Sequence, residues 1–405
     1  MTDTAVPTSQ TDRIGEVDII RGFALFGVLW MNVLGMGGFL VPRDKIHGLT
    51  DFQTLEKVVG FLSHLLMAGK AQALFSLLFG FGFAVMMERI GARGGDGRAI
   101  YLRRLTILLI VGIAHTALLW TGDILNAYAA MGFLLLITRR WSNRWLLAGG
   151  LVFAVLLPIA VMIFYQMTTP SGQPPAFVAA MEAGAEARWP IVMGHDYPAF
   201  VVAMFKALFV EFYTQPIALS YFGWILGRFM IGSWIFRQGW LQTPQRYLTG
   251  FAVVAATFIP LGLLWTLRGG IMKNLELKPL DWAAPLFRGS GAAAELIQAL
   301  GYGALLVILC QIPAVRRVLS GLGSVGQMAL TNYLTQSLFY VFVLYGFGLG
   351  LLPWMGPTFS LLFSVALFGL QILFSRWWLA RYAYGPAEWL WRWGTYGVKP
   401  ALKRG

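Results

Sequence analysis

Residues 18–40 read DIIRGFALFGVLWMNVLGMGGFL, a run in which Asp18 and Arg21 are the only charges and the apolar residues do not alternate. At 1.5 Å of rise per residue, a block of about 20 such residues crosses the roughly 30 Å of a bilayer's hydrocarbon core as a helix. A lipid-facing barrel strand would alternate instead. Nine further blocks of this kind follow, at roughly 70–89, 101–120, 123–139, 144–165, 215–236, 247–267, 289–311, 323–348 and 356–378. The fold expected is therefore all-α, a polytopic integral membrane bundle of about ten transmembrane helices. Composition agrees: 58% of the 405 residues are hydrophobic and 12% charged, against about 25% charged in soluble domains.

Length leaves no room for a large soluble unit, so residues 1–405 form a single transmembrane domain. The net charge of +13 would suit nucleic acid if it were gathered on one surface. Instead the arginines cluster between apolar blocks: Arg89, Arg93, Arg98, Arg103 and Arg104, then Arg139, Arg140 and Arg144, then Arg237 and Arg246, then Arg316 and Arg317. By the positive-inside rule these loops are cytoplasmic. This makes 1–17 a cytoplasmic segment, 379–405 a cytoplasmic tail, and the links at 121–122 and around 349–355 extracytoplasmic. The loop at 267–288, with Arg268, Lys273, Lys278 and Arg288, goes against the pattern. No cleaved leader is expected, because the first apolar run is too long for a signal-peptide core. The lone Cys310 excludes an internal disulfide, and Gly91–Gly97 lacks a phosphate-loop ending and reads as a linker.

One or two amphipathic interfacial helices are expected as well. One lies in the 166–214 segment, predicted to be an extracytoplasmic loop. The other is at 52–68, where Leu55, Val58, Val59, Leu62, Leu65 and Leu66 share a face.

Polar groups inside spans mark candidate sites, since a central charge costs about 2.5–3.5 kcal/mol on insertion scales. Asp18 and Arg21 are three residues apart on one face of the first span. A local ion pair accounts for them, as does an inward-facing guanidinium that grips an oxyanion. Asn32 points to a similar side. Between the third and fourth spans stand His115, Asp123, Asn126 and Tyr128. The two-residue link makes these helices adjacent, so Asp123 and Asn126 can approach the imidazole. His115 then suits a general base oriented by Asp123, while a helix cap explains Asp123 and an interhelical hydrogen bond explains His115 equally simply. In the ninth span Asn332 and Gln336 lie one turn apart, as helix-joining groups or as the wall of a wet cavity. His47, His64, His115 and His195 lack metal-ligand spacing, and no metal site is expected.

Four passages resemble the YeiB-like family of bacterial inner-membrane proteins over nearly the whole chain. They are Val17-Asp18-Ile-Ile-Arg21-Gly22-Phe-Ala24, Ala73-Leu-Phe-Ser-Leu-Leu-Phe-Gly80-Phe-Gly82, His115 through Gly122-Asp123-Ile-Leu125 and Tyr128, and Met328-Ala-Leu-Thr-Asn-Tyr333 with Gly385-Pro-Ala-Glu-Trp389-Leu-Trp391. The first passage is also distantly similar to the opening of transmembrane acyltransferases, including heparan glucosaminide N-acetyltransferase and O-acyltransferase-like proteins. The catalytic histidine passage of the N-acetyltransferases has no counterpart here.

The resemblance implies an inner-membrane location with both termini cytoplasmic and an acyl group moved from a cytosolic donor to an envelope acceptor. Coenzyme A esters would be co-substrates rather than tightly bound cofactors. On that reading His115 and Asp123 are catalytic, while Asp18, Arg21, Asn32, Asn126, Tyr128, Asn332 and Gln336 bind donor or substrate. Membrane lipids and an envelope glycan or lipid acceptor are the expected partners, and nucleic acid is not. The alternative is a transporter or a lipid- or quinone-binding protein without covalent chemistry. The oligomeric state stays open, a homodimer being one arrangement.

Overall fold

The computed structural model describes residues 14–39, 41–92, 97–170, 173–274 and 283–403. Its principal helices are α1 (Gly15–Phe39), α2 (Gln53–Leu66), α3 (Lys70–Gly91), α4 (Arg98–Leu118), α5 (Leu125–Thr138), α6 (Asn143–Thr168), α7 (Ala176–Val192), α8 (Tyr197–Phe212), α9 (Ile217–Arg237), α10 (Leu248–Asn274), α11 (Gly291–Cys310), α12 (Pro313–Gln327), α13 (Ala329–Leu344), α14 (Pro357–Leu379) and α15 (Pro386–Tyr396). Among the described residues no strand forms, and only an isolated bridge joins Tyr382 to Lys403. The first thirteen residues of the expected 1–17 segment, the middle of the Gly91–Gly97 linker and part of the 267–288 loop lie outside the described residues.

Among the described residues seven helical stretches are long and apolar enough to cross a membrane, and α8 with α9 make an eighth only if the pair counts as one span despite a 90° bend. The expected count of about ten is reduced by the fourth and ninth blocks. With 14 residues, α5 spans about 21 Å. Helix α13 begins only after a break at Met328 and ends in a π-helical turn at Tyr340–Leu344. These two short apolar helices sit inside the bundle, where α5 buries Leu125, Asn126, Ala127, Tyr128 and Ala129 in succession.

Glycines set how closely the central helices approach. A side chain at Gly80 of α3 would meet the Phe229 carbonyl of α9 at 1.9 Å, and one at Gly232 would meet the Leu77 carbonyl at 1.9 Å. The crossing of α1 and α12 works the same way, with Gly22 against Leu322 and Gly326 against Asp18. Lipid supplies no hydrophobic drive between helices, so such small-residue contacts carry much of their association. Helix α10 has only 6% of its span buried and packs chiefly on α11. It is the peripheral span.

The amphipathic α2 does not turn its whole apolar face to the bundle, since Leu55, Val58 and Leu62 remain exposed. It contacts α14, where Gly60 approaches Pro357. The 166–214 segment holds two helices rather than one, α7 and α8, tied by an ion pair between Arg188 and Glu211. The 379–405 tail contains α15, which packs on α4 and α13.

Candidate functional site

Helix α4 ends at Leu118 and α5 starts at Leu125, so the link is six residues, 119–124, rather than two. The closeness of the two helices survives because Gly112 faces the Asn126 backbone, a Cβ there falling 2.4 Å from its nitrogen. Asp123, 1% exposed, serves two ends with its two oxygens. Oδ2 accepts from the backbone N–H of Asn126 at 3.0 Å and from its Nδ2 at 2.9 Å, which starts α5 as a helix cap does. Oδ1 lies 2.8 Å from Nδ1 of His115 and accepts from the Tyr333 hydroxyl at 3.2 Å. Both readings of Asp123, cap and pair, therefore describe real contacts.

Nδ1 does not meet hydrogen-bond geometry toward Oδ1 despite the short separation, so the two groups form a close polar pair rather than an aligned hydrogen bond. The imidazole Nε2 is 2.9 Å from the Ser337 hydroxyl of α13. With the hydrogen on Nδ1, Nε2 accepts from the Ser337 hydroxyl; with it on Nε2, the ring donates instead. The row Ser337–His115–Asp123 has the order of a nucleophile relay. Ser337, however, is buried and lines neither of the two cavities described below. It orients the ring.

A cavity of about 330 Å³ runs along α3 from Arg89 to Gln72, a distance of about 25 Å at helical rise. Its wide end is lined by Arg21, Arg89, Arg104 and Arg392, with Asp18 and Glu388. Its walls are apolar, including Leu25, Val28, Phe75, Phe79 and Leu108, and it ends at Ile124, Tyr128 and Tyr333. Arg21 pairs with Asp18 at 2.7 Å and donates to the Gly326 carbonyl at 3.3 Å, where α12 gives way to α13. The Arg104 guanidinium lies 3.5 Å over the Trp391 ring, whose indole N–H donates to the Arg104 carbonyl at 2.9 Å. Glu388 closes the start of α13, accepting from the N–H groups of Leu330 and Thr331 and from the Thr331 hydroxyl. Burial pushes the Glu388 carboxyl above the usual carboxylate range, although the Thr331 and Leu330 donors pull the other way.

A second cavity of about 230 Å³ shares Gln72 with the first and is otherwise lined by Met31, Asn32, Gly35, Trp120, Gly122, Asp123, Leu208, Phe212 and Tyr221. Helix α8 covers this end of the molecule. Thr121 donates to the Met204 carbonyl, Tyr197 to the Leu118 carbonyl, and the Tyr213 hydroxyl to Oδ1 of Asn126. Asp123 borders the second cavity while His115 is packed behind it.

The residues singled out in the sequence thus fall into three places. His115, Asp123 and Asn126 form one network, and Asn32 joins them across the second cavity. Asp18, Arg21 and Tyr128 line the first cavity. Asn332 and Gln336 border neither: Asn332 bonds Ser375 and the Val325 carbonyl, and Gln336 bonds Gln371, which ties α13 to α14. Sequence reasoning misses Gln72, Arg104, Tyr333, Ser337, Glu388 and Trp391 as site residues. It also misses Arg228, fully buried in α9, stacked near Trp224 and bonded to Glu295 at 3.1 Å. An arginine in the middle of an apolar block is the signal that finds it. Among the described residues no group of His, Cys, Asp and Glu can hold a metal ion.

Known proteins bear on this arrangement as follows. The model of a family described as "Protein of unknown function (DUF418)" matches residues 235–398. The chain is similar to the protein YxaH of Bacillus subtilis (strain 168), 29% identical with 96% of each chain covered, and to a 39.9 kDa protein in the amylase 3' region of Bacillus acidopullulyticus, 28% identical with 97% and 96% covered. It is also 30% identical to the protein YeiB of Escherichia coli (strain K12), with 94% of this chain and 96% of the relative covered. No solved structure matches it. Apolar helices fit to span a bilayer make this a membrane protein with near-full-length relatives in bacteria, and the match to YeiB places the chain in the YeiB-like family.

Proposed function

We propose that the protein transfers an acyl group from a phosphate-bearing thioester, a coenzyme A ester, to a hydroxyl-bearing envelope glycan or lipid on the other side of the membrane. The observation that carries this reading is the junction of the two cavities, the first arginine-lined and apolar along its length, the second bordered by Asp123. The arginines suit phosphate groups through paired N–H donors. The apolar shaft suits the extended arm and chain of such a donor. The acceptor occupies the second cavity, and the Asp123–His115 pair takes the proton from its nucleophilic oxygen. In this orientation the arginine-rich end and both termini face the cytoplasm of a cell with this protein in its inner membrane.

The test is binding and turnover of acetyl- and palmitoyl-coenzyme A by the purified protein in nanodiscs, read by calorimetry and by release of the coenzyme A thiol. Binding that weakens with salt and is lost in Arg21→Ala is expected. Absence of binding for both esters, together with an isoprenoid quinone or a phospholipid co-purifying in the long cavity, would replace this reading with lipid binding or transport.

A further inference from the structure

Gln72, in the first turn of α3, borders both cavities. Its main-chain carbonyl accepts from the Ser76 hydroxyl at 2.8 Å and from the Tyr128 hydroxyl at 3.4 Å, which fixes the backbone at the junction. Its side-chain amide makes no hydrogen bond among the described residues. The neighbouring hydroxyls are already engaged, Tyr128 with Ser76 at 2.7 Å and Tyr333 with Asp123 at 3.2 Å. A half-buried amide between apolar walls with no protein partner is a group waiting for a ligand oxygen.

We propose that Gln72 is a catalytic residue that donates its side-chain N–H to the carbonyl oxygen of the acyl group as that group passes from the long cavity to the short one. This inference rests on the acyl-transfer reading. The acceptor hydroxyl oxygen attacks the thioester carbon from the second cavity, and its proton goes to the Asp123 carboxylate, held there beside Nδ1 of His115. A carbon–oxygen bond forms and the carbonyl electron pair moves to oxygen, where Gln72 stabilises the developing oxyanion. Collapse of that oxyanion breaks the carbon–sulfur bond. The thiolate leaves in the long cavity and takes up the proton held by the pair, so hydroxyl and thioester become ester and thiol with nothing added or lost. Gln72 is placed for this because neither Arg21 nor Arg104, at the far end of the shaft, reaches the junction.

The experiment compares wild type with Gln72→Met and Gln72→Glu, both near in length to the native side chain. Acetyl-coenzyme A is the probe, with water as acceptor, and release of the coenzyme A thiol is the readout. Binding of acetyl-coenzyme A is expected to stay within about threefold, while thiol release falls by about 10²–10³, the usual effect of deleting one oxyanion donor. Wild-type turnover with variant rates above a tenth of it overturns the role of Gln72 and leaves acyl transfer standing. Loss of donor binding in Gln72→Met that matches its loss of rate makes Gln72 a structural residue and also overturns the inference. A wild-type protein that neither binds nor cleaves the ester overturns the transfer reading, and Gln72's role with it.

Discussion

Oδ1 of Asp123 and Nδ1 of His115 stand 2.8 Å apart with both side chains closed off from solvent, and of the two residues Asp123 alone borders the second cavity. The order from the cavity inward is Asp123, His115 and the hydroxyl of Ser337. On the acyl-transfer proposal, the proton of the acceptor is taken at the Asp123 end of that row.

Asp123→Asn separates the two uses of this residue. Asparagine caps a helix about as well as aspartate, so unfolding temperature in detergent should shift little, equivalent to less than about 1 kcal/mol. Thiol release from acetyl-coenzyme A should fall at least a hundredfold if the negative charge is needed. His115→Gln keeps an interhelical hydrogen bond and should lower the rate as well. Normal rates in both variants would remove the pair from the chemistry.

Arg392→Lys tests the grip on phosphate. The guanidinium borders the wide end of the shaft and lies 4.6 Å over the Tyr384 ring, and a lysine keeps the charge but not the paired donors. Affinity for acetyl-coenzyme A should drop about tenfold, which is about 1.4 kcal/mol, with thermal stability unchanged. Equal affinity at low salt would show that the phosphates sit elsewhere.

Glu388 gives a pH dependence with a definite sign. Its pKa in the folded protein is raised above its ordinary 4.5 by burial, so the folded state holds this proton more tightly than the unfolded chain. The stabilisation from the protonated form is complete below about 4.5 and is lost as pH rises through the raised folded value. The unfolding temperature of wild type should fall across that window relative to Glu388→Gln, which has no such proton to lose. Parallel curves for the two proteins would contradict this.

Orientation is checked at Gln173, an exposed residue between α6 and α7. A cysteine placed there, in a Cys310→Ala background, should react with an impermeant thiol reagent on intact cells, because the arginines at the far ends of α6 and α9 predict that the segment between them lies outside. Labelling only after permeabilisation would invert the proposed direction of transfer.

Much of this could be read from single residues that break an apolar run. Asp18, Arg21, His115 and Asp123 are conspicuous in that way, and each lies in or beside a cavity network. Arg228 gives the same signal within 215–236 and sits fully buried against Glu295. Gln72 gives none, because it stands at the edge of its block, where polar residues are ordinary. Asn332 and Gln336 show the limit of the method: their partners Ser375 and Gln371 belong to α14, and only tertiary packing decides whether such amides line a cavity or join helices. The length of the ninth span failed for a related reason, since Met328 breaks the helix at a point where hydropathy does not change.

The docking of α15 has a consequence for how the protein is made. Trp391 and Arg392 help line the wide end of the shaft, and Glu388 holds the start of α13, yet all three follow the last span in the chain. During synthesis the membrane-crossing helices described above are translated before these residues are. On the acyl-transfer proposal, the end of the cavity that takes the phosphates is therefore completed last. On the same proposal, a chain truncated before residue 386 and released from the ribosome should keep its membrane-crossing helices and lose its affinity for coenzyme A esters.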